Sequence, residues 1–182
     1  MLLRGFFGPG TWAGIYNRLM SQATKPIVVY RAHASRGKPL RIFNDTVYVK
    51  LGVEETGGRY SFIEDVTPAG AGTPLHVHHR EDEGFYILEG DYVFEVSGQR
   101  YDAHAGDFVF VPKDTPHRFL NIGQSAGTML LTLEPGGLEI FFEELAAITG
   151  PPSPEILAPV FEKYGLELLG PPLSLEAAGH NS

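Results

Sequence analysis

Apolar residues recur along the middle of the chain in short runs. Residues 27–32 (IVVYRA), 46–52 (TVYVKLG), 60–66 (YSFIEDV), 84–89 (GFYILE), 92–97 (YVFEVS), 108–112 (FVFVP) and 127–133 (GTMLLTL) are rich in β-branched and aromatic side chains. Turn signals stand between them, among them Gly57-Gly58, Pro68, Gly70, Gly72, Gly90-Asp91, Gly98 and Gly106-Asp107. This spacing predicts an all-β barrel or sandwich rather than βαβ units. Several runs are apolar on both faces: Phe85 to Leu88, Phe108 to Val111 and Met129 to Leu131. A solvated outer face would alternate, so a second subunit or the N-terminal arm is expected to cover the outside, and a homodimer is expected.

The last third changes period. Leu138, Phe141, Phe142 and Leu145 fall at helical spacing, with Glu139, Glu143 and Glu144 on the other side. Ser153 and Pro154 read as the start of a second helix, with Ile156, Leu157, Val160, Phe161 and Tyr164 following, Pro159 as a kink and Gly165 as the stop. From Pro171-Pro172 onward the chain reads as a loose tail. The organisation expected is an N-terminal basic arm and edge strand over 1–39, a β domain over 40–134, and a helical extension and tail over 135–182.

Composition narrows the chemistry. The 182 residues contain no cysteine, so no disulfide or thiolate site is available and any transition metal must be held by nitrogen and oxygen. A cytoplasmic protein is expected. Leu2, Leu3, Phe6 and Phe7 are interrupted by Gly8, Pro9, Gly10 and Gly14, a pattern of neither a signal sequence nor a membrane span. The net charge of -8 conceals an asymmetry: residues 1–44 hold seven Lys/Arg and no acid. Nucleic acid or a membrane surface would want clustered charge with interleaved aromatics, whereas these cations are spread out, which points toward an arm lying on an acidic body.

The candidate chemistry is concentrated in "GAGTPLHVHHREDEGFYILEG", residues 70–90. His76 and His78 are two apart, so an extended backbone points both imidazoles to one face. Glu83 follows where a hairpin would return its carboxylate beside them, and His117 opens another β-like run after a Pro-rich turn. Three imidazoles and one carboxylate suit one divalent first-row transition metal (Fe, Ni, Mn, Cu or Zn), leaving two positions of an octahedral shell open for chemistry. His79 should face outward, Glu81 and Asp82 read as solvated turn charges, and His33, His104 and His180 read as surface residues. By the same parity Phe85 and Phe119 point inward, either as barrel core or as walls of a pocket for an apolar or aromatic small molecule. Asn121 either steadies its strand or touches substrate.

These residues resemble the motifs of the cupin superfamily. Gly70, His76, His78, Glu83 and Gly90 meet G-x5-H-x-H-x4-E-x6-G in full. Gly106, Pro112, His117 and Asn121 meet the second motif, with Asp114 where the family usually has glycine, a substitution tolerable in a turn because Asp accepts left-handed backbone. The resemblance implies a double-stranded β-helix, that is a jelly-roll barrel, a metal held by His76, His78, Glu83 and His117, and commonly a dimer. The stretch "HVHHREDEGFYILEGDYVFEV" and the tail "GGLEIFFEELA" are further similar to small quercetin dioxygenase-like cupins. That likeness implies opening of an aromatic or flavonol-type, enolisable substrate by dioxygen, with Glu83 moving from ligand to general base. Two other classes stay open: a non-oxidative metalloenzyme (isomerase, lyase or decarboxylase) and a non-catalytic ligand-binding or sensor module. A phosphosugar enzyme is disfavoured, because no Lys or Arg is placed inward.

Overall fold

The computed structural model describes residues 28–31, 33–34, 37–149 and 153–179. Two antiparallel sheets pack face to face. The first takes strands β1 (Leu40–Ile42), β2 (Asp45–Leu51), β3 (Ser61–Thr67), β10 (Gly127–Glu134), β5 (Asp82–Glu89) and β8 (Phe108–Val111), in the order β1-β2-β3-β10-β5-β8. The second takes β4 (Pro74–His78), β6 (Asp91–Val96), β7 (Gln99–His104), β9 (His117–Asn121) and β11 (Leu166–Pro172), in the order β11-β4-β9-β6-β7.

This arrangement corrects the expectation of a closed barrel. The strand order of each sheet ends at two edge strands, β1 and β8 in one and β11 and β7 in the other, and neither sheet pairs back onto itself. The reason lies in periodicity: alternation marks which residues face inward, and the inner face of a sandwich carries the same alternation as the lumen of a barrel. Ile63, Phe85, Ile87, Phe94, Phe119, Met129 and Leu133 fill the space between the sheets and are fully or almost fully buried.

Other expectations shift at the edges. Residues 28–31 form no strand, and the first and last residues of that run, 27 and 32, lie outside the described residues. The segment is instead tied down by polar groups: Lys50 Nζ donates to the carbonyls of Tyr30 (2.8 Å) and His33 (2.7 Å), and Arg31 pairs with Glu89 at 2.7 Å. Tyr86, Phe108 and Phe110 remain exposed on the outside of β5 and β8. Ahead of the expected tail stands an edge strand, with Leu166, Glu167 and Leu168 in register with His78, Val77 and His76 of β4, and it takes in the first two tail residues, Pro172 lying opposite Pro74. Pro171 and Pro172 are tolerated there because an edge strand has a side that needs no donor.

Three short or medium helices complete the C-terminal and connecting structure: α1 (Val53–Thr56), α2 (Glu139–Ala146) and α3 (Pro154–Tyr164), with a final turn α4 (Leu175–Ala178). Helix α3 begins after an extended Ser153 with Pro154 in its first turn and ends at Gly165 in the left-handed conformation, with Pro159 inside it. Phe141 of α2 and Phe161 of α3 meet edge to face at 5.0 Å and close one end of the sandwich. Glu139 is not on a solvated face, as its helical position suggested; it is 2% exposed. Its carboxylate accepts from Val53 N (2.5 Å), Ser61 Oγ (2.5 Å) and Gly137 N (3.0 Å), fastening the start of α2 to the first sheet. Among the described residues no helix is long and apolar enough to cross a membrane.

Candidate metal centre

The alternation of β4 sends His76 and His78 to the same inner face, and antiparallel pairing sets His76 directly opposite His117 at the start of β9. Glu83 reaches them from the other sheet, where β5 holds it between Leu133 of β10 and Val111 of β8. All four are buried, and one ligand atom of each lies within 4.8 Å of the others. His76 Nε2 and His78 Nε2 are 3.0 Å apart, His117 Nε2 stands 3.0 Å from Glu83 Oε2, and His78 Nε2 stands 3.5 Å from the same oxygen.

The backbone settles which ring nitrogens are free. His76 Nδ1 donates to the carbonyl of Pro74 and His117 Nδ1 to that of Thr115, each at 2.8 Å. A carbonyl only accepts, so the proton sits on Nδ1 and neutral His76 and His117 turn bare Nε2 lone pairs inward. The result is a knot of acceptors facing acceptors, which needs a proton or a cation at its centre. Burial, together with the neighbouring His117 and His78, holds His76 well below the ordinary histidine range, so this ring is neutral. Burial alone would push the Glu83 carboxyl up, but the charge of His78 and the hydrogen bond to His117 outweigh it and keep Glu83 ionised. Burial lowers His117, yet the hydrogen bond and charge of Glu83 win and raise it, as expected where a proton occupies the place of a cation. Three inward imidazole nitrogens and one carboxylate, without sulfur, fit a divalent first-row ion.

Three members of the quartet, His76, His78 and Glu83, line a cavity of about 70 Å³, which has room for about two waters. Phe85, Phe119, Phe141, Phe142 and Phe161 line it beside aliphatic side chains such as Ile42, Ile63 and Leu131. A larger outer groove of about 630 Å³ adjoins it and shares Phe43 and Pro74 with it.

Other residues singled out in the sequence take varied positions. His79 is exposed and pairs with Asp114 at 2.8 Å, and Asp114 has φ 62, the left-handed turn expected of a residue standing in for glycine. His104 is exposed and pairs with Asp91, and His33 is also exposed, while His180 lies outside the described residues. Asn121 does not line the cavity: its amide donates to the carbonyls of Thr67 and Ser125 (both 2.9 Å) and its oxygen accepts from Gly123 N, so it steadies the loop beyond β9. Asp82 accepts from Lys113 N. Glu81 corrects the reading of a solvated turn charge, for it is buried with Oε2 3.7 Å from His78 Nδ1, and neither atom has a hydrogen-bond partner. Asp45 and Asp65, which the motifs did not mark, also line the cavity. The signal available for Asp65 was its parity, since it shares the inward positions of β3 with Ser61, Ile63 and Thr67.

Comparison with known proteins agrees with this architecture. Residues 62–137 match the family model described as Cupin domain. A segment of 67 residues is 36% identical to an uncharacterized protein of Methanocaldococcus jannaschii, covering 37% of this chain and 54% of that protein. A segment of 92 residues is 32% identical to quercetin 2,3-dioxygenase of Bacillus subtilis, covering 50% of this chain and 27% of that enzyme. The chain thus spans about half, or less, of the length of these curated relatives. Among solved structures, a predicted oxalate decarboxylase from Thermotoga maritima superimposes with a TM-score of 0.55 at 26% identity, covering 60% of this chain and 99% of that one.

Proposed function

We propose, from the premise that this chain has a cupin fold with a buried His/His/Glu/His cluster, that it is a metal-dependent enzyme whose substrate is an aromatic or enolised compound opened by dioxygen. The observation that carries this reading is the convergence of His76, His78, Glu83 and His117 within 4.8 Å at the wall of a cavity lined by phenylalanines. A bound ion would polarise substrate oxygens and bring dioxygen to the same place. His76, His78 and His117 would hold the ion through Nε2, and their Nδ1 bonds to Pro74 and Thr115 keep the rings from turning. Glu83, kept ionised in spite of burial, would complete the ion's donor set and, on leaving the ion, would take the proton of a substrate hydroxyl. Phe85, Phe119 and Phe161 exclude water around the reacting edge. The outer groove beyond Phe43 offers the volume a ring system needs, within the range of small-molecule sites of about 300–1,000 Å³.

A second reading, non-oxidative lyase or isomerase chemistry on a smaller substrate, is favoured by the size of the inner cavity, about 70 Å³. One experiment separates the two. Freshly purified protein is assayed for bound metals by elemental analysis, then screened with a flavonol and a β-diketone in an oxygen electrode. Oxygen consumption tied to substrate loss, abolished in Glu83→Ala, is the expected result. Turnover that proceeds at full rate without oxygen refutes the dioxygenase reading and leaves the second.

A further inference from the structure

The cavity holds a second polar element that the quartet does not use. Asp45, at the start of β2, and Asp65, within β3, are 8% and 5% exposed. Both line the cavity that His76, His78 and Glu83 line, and the Oδ1 of each is without a hydrogen-bond partner. The carboxyl of Asp65 receives a long bond, 3.4 Å, from Thr67 Oγ1 and a contact from the Val66 backbone, neither of which reaches Oδ1. The two lie on neighbouring strands and one face: Asp65 stands opposite Val47 in the register, and Asp45 is two residues before Val47. A buried acceptor without a donor is destabilising, and two in one cavity constitute an unfilled demand for donors. No Lys or Arg lines the cavity to meet it. The titratable groups facing the pair are Glu83, Tyr92, His76 and His78.

We propose that Asp45 and Asp65 are specificity-determining residues, which receive the hydroxyl-bearing part of a neutral hydroxy-carbonyl substrate and reject dicarboxylates. This rests on the quartet being an ion site and names the substrate class for it. A hydroxyl brings the missing donor to a free Oδ1. A dicarboxylate brings only acceptors, and it adds negative charge to a compartment that already holds Glu83 and two carboxyls, between aromatic walls that screen little. Burial pushes the Asp45 carboxyl up to about 7, and burial followed by the nearness of Asp45 raises Asp65 well above the carboxylate range. At pH 8 Asp45 is charged, so discrimination against a dianion is then in force.

The test is titration calorimetry at pH 8 on Zn2+-loaded protein with two probes, 3-hydroxy-2-methyl-4-pyrone and oxalate. The native protein is expected to bind the hydroxy-pyrone at least about tenfold more tightly than oxalate. Asp45→Asn and Asp65→Asn are each expected to lower that ratio by about tenfold, with zinc content retained and the melting temperature not lowered. Oxalate binding to the native protein as tightly as the hydroxy-pyrone overturns the proposal, whether or not the variants fold. So does an unchanged ratio in both variants. Failure of the native protein to take up zinc, read beforehand by elemental analysis, overturns the ion site and this proposal together. Absence of oxygen uptake in the separate flavonol and β-diketone screen of the protein as purified refutes only the dioxygenase reading.

Discussion

Replacing Asp45 by Asn removes a charge that the fold holds at a cost, and the size of that cost follows from its surroundings. Burial lifts the carboxyl from its ordinary 3.8 to about 7 in the folded protein. Between those values the native state binds more protons than the unfolded chain, so stability falls as pH rises from about 4 to about 7 and is level above that. Three pH units at 1.36 kcal/mol each put the full loss at about 4 kcal/mol, of which roughly 3 kcal/mol falls between pH 5 and pH 8. Asp45→Asn cannot lose a proton, and it also relieves the repulsion that Asp65 feels. Urea denaturation of chelator-treated protein at pH 5 and pH 8 should therefore give the variant an advantage that is small at the lower pH and grows by about 3 kcal/mol at the higher. Equal gaps between variant and native protein at the two pH values would refute the reasoning, because they would place the Asp45 charge in contact with water or a donor.

Two further substitutions test how the site is framed. Glu139→Ala leaves Val53 N, Ser61 Oγ and Gly137 N without their acceptor, and chemical denaturation should register a loss of about 3–5 kcal/mol, with Glu139→Gln losing less. At Gly72 a Cβ would collide with the backbone carbonyl of Phe119 and the Cα of Leu120, where Gly72 bridges to β9. Gly72→Ala should thus cost about 1–3 kcal/mol and weaken zinc retention on dialysis by displacing the strand that starts at His117; unaltered retention and stability would show that β9 accommodates the added methyl.

The parts of the site most legible in the sequence were those set by parity. The two-residue spacing of His76 and His78 determines that both rings point to one face, and motif spacing led to Glu83 and His117, which the fold brings to the same point. Closure of the sheet was not legible, since alternation reports facing and says nothing of whether the last strand meets the first. Edge strands were missed for a related reason. Gln99–His104 pairs on one side only and is mostly exposed, so burial imposes little apolar pattern on it. Leu166–Pro172 hides behind its prolines. Glu81, Asp65 and Glu139 were misread or overlooked because charge normally marks the surface. Each is buried here, and only Glu139 has its full set of donors.

The four inward side chains are divided between the layers: three imidazoles come from β4 and β9, and the single carboxylate comes from β5 in the facing sheet. An ion gripped by both would act as a rivet through the sandwich, at the end that the aromatic helices also close. Loading and unfolding are then one linked equilibrium, in which each tenfold rise in free ion above its dissociation constant adds about 1.4 kcal/mol to the hold of one sheet on the other. Stripping the ion would loosen the seam between β4 and β5 first, leaving the hairpins at the far end of each layer as firmly paired as before.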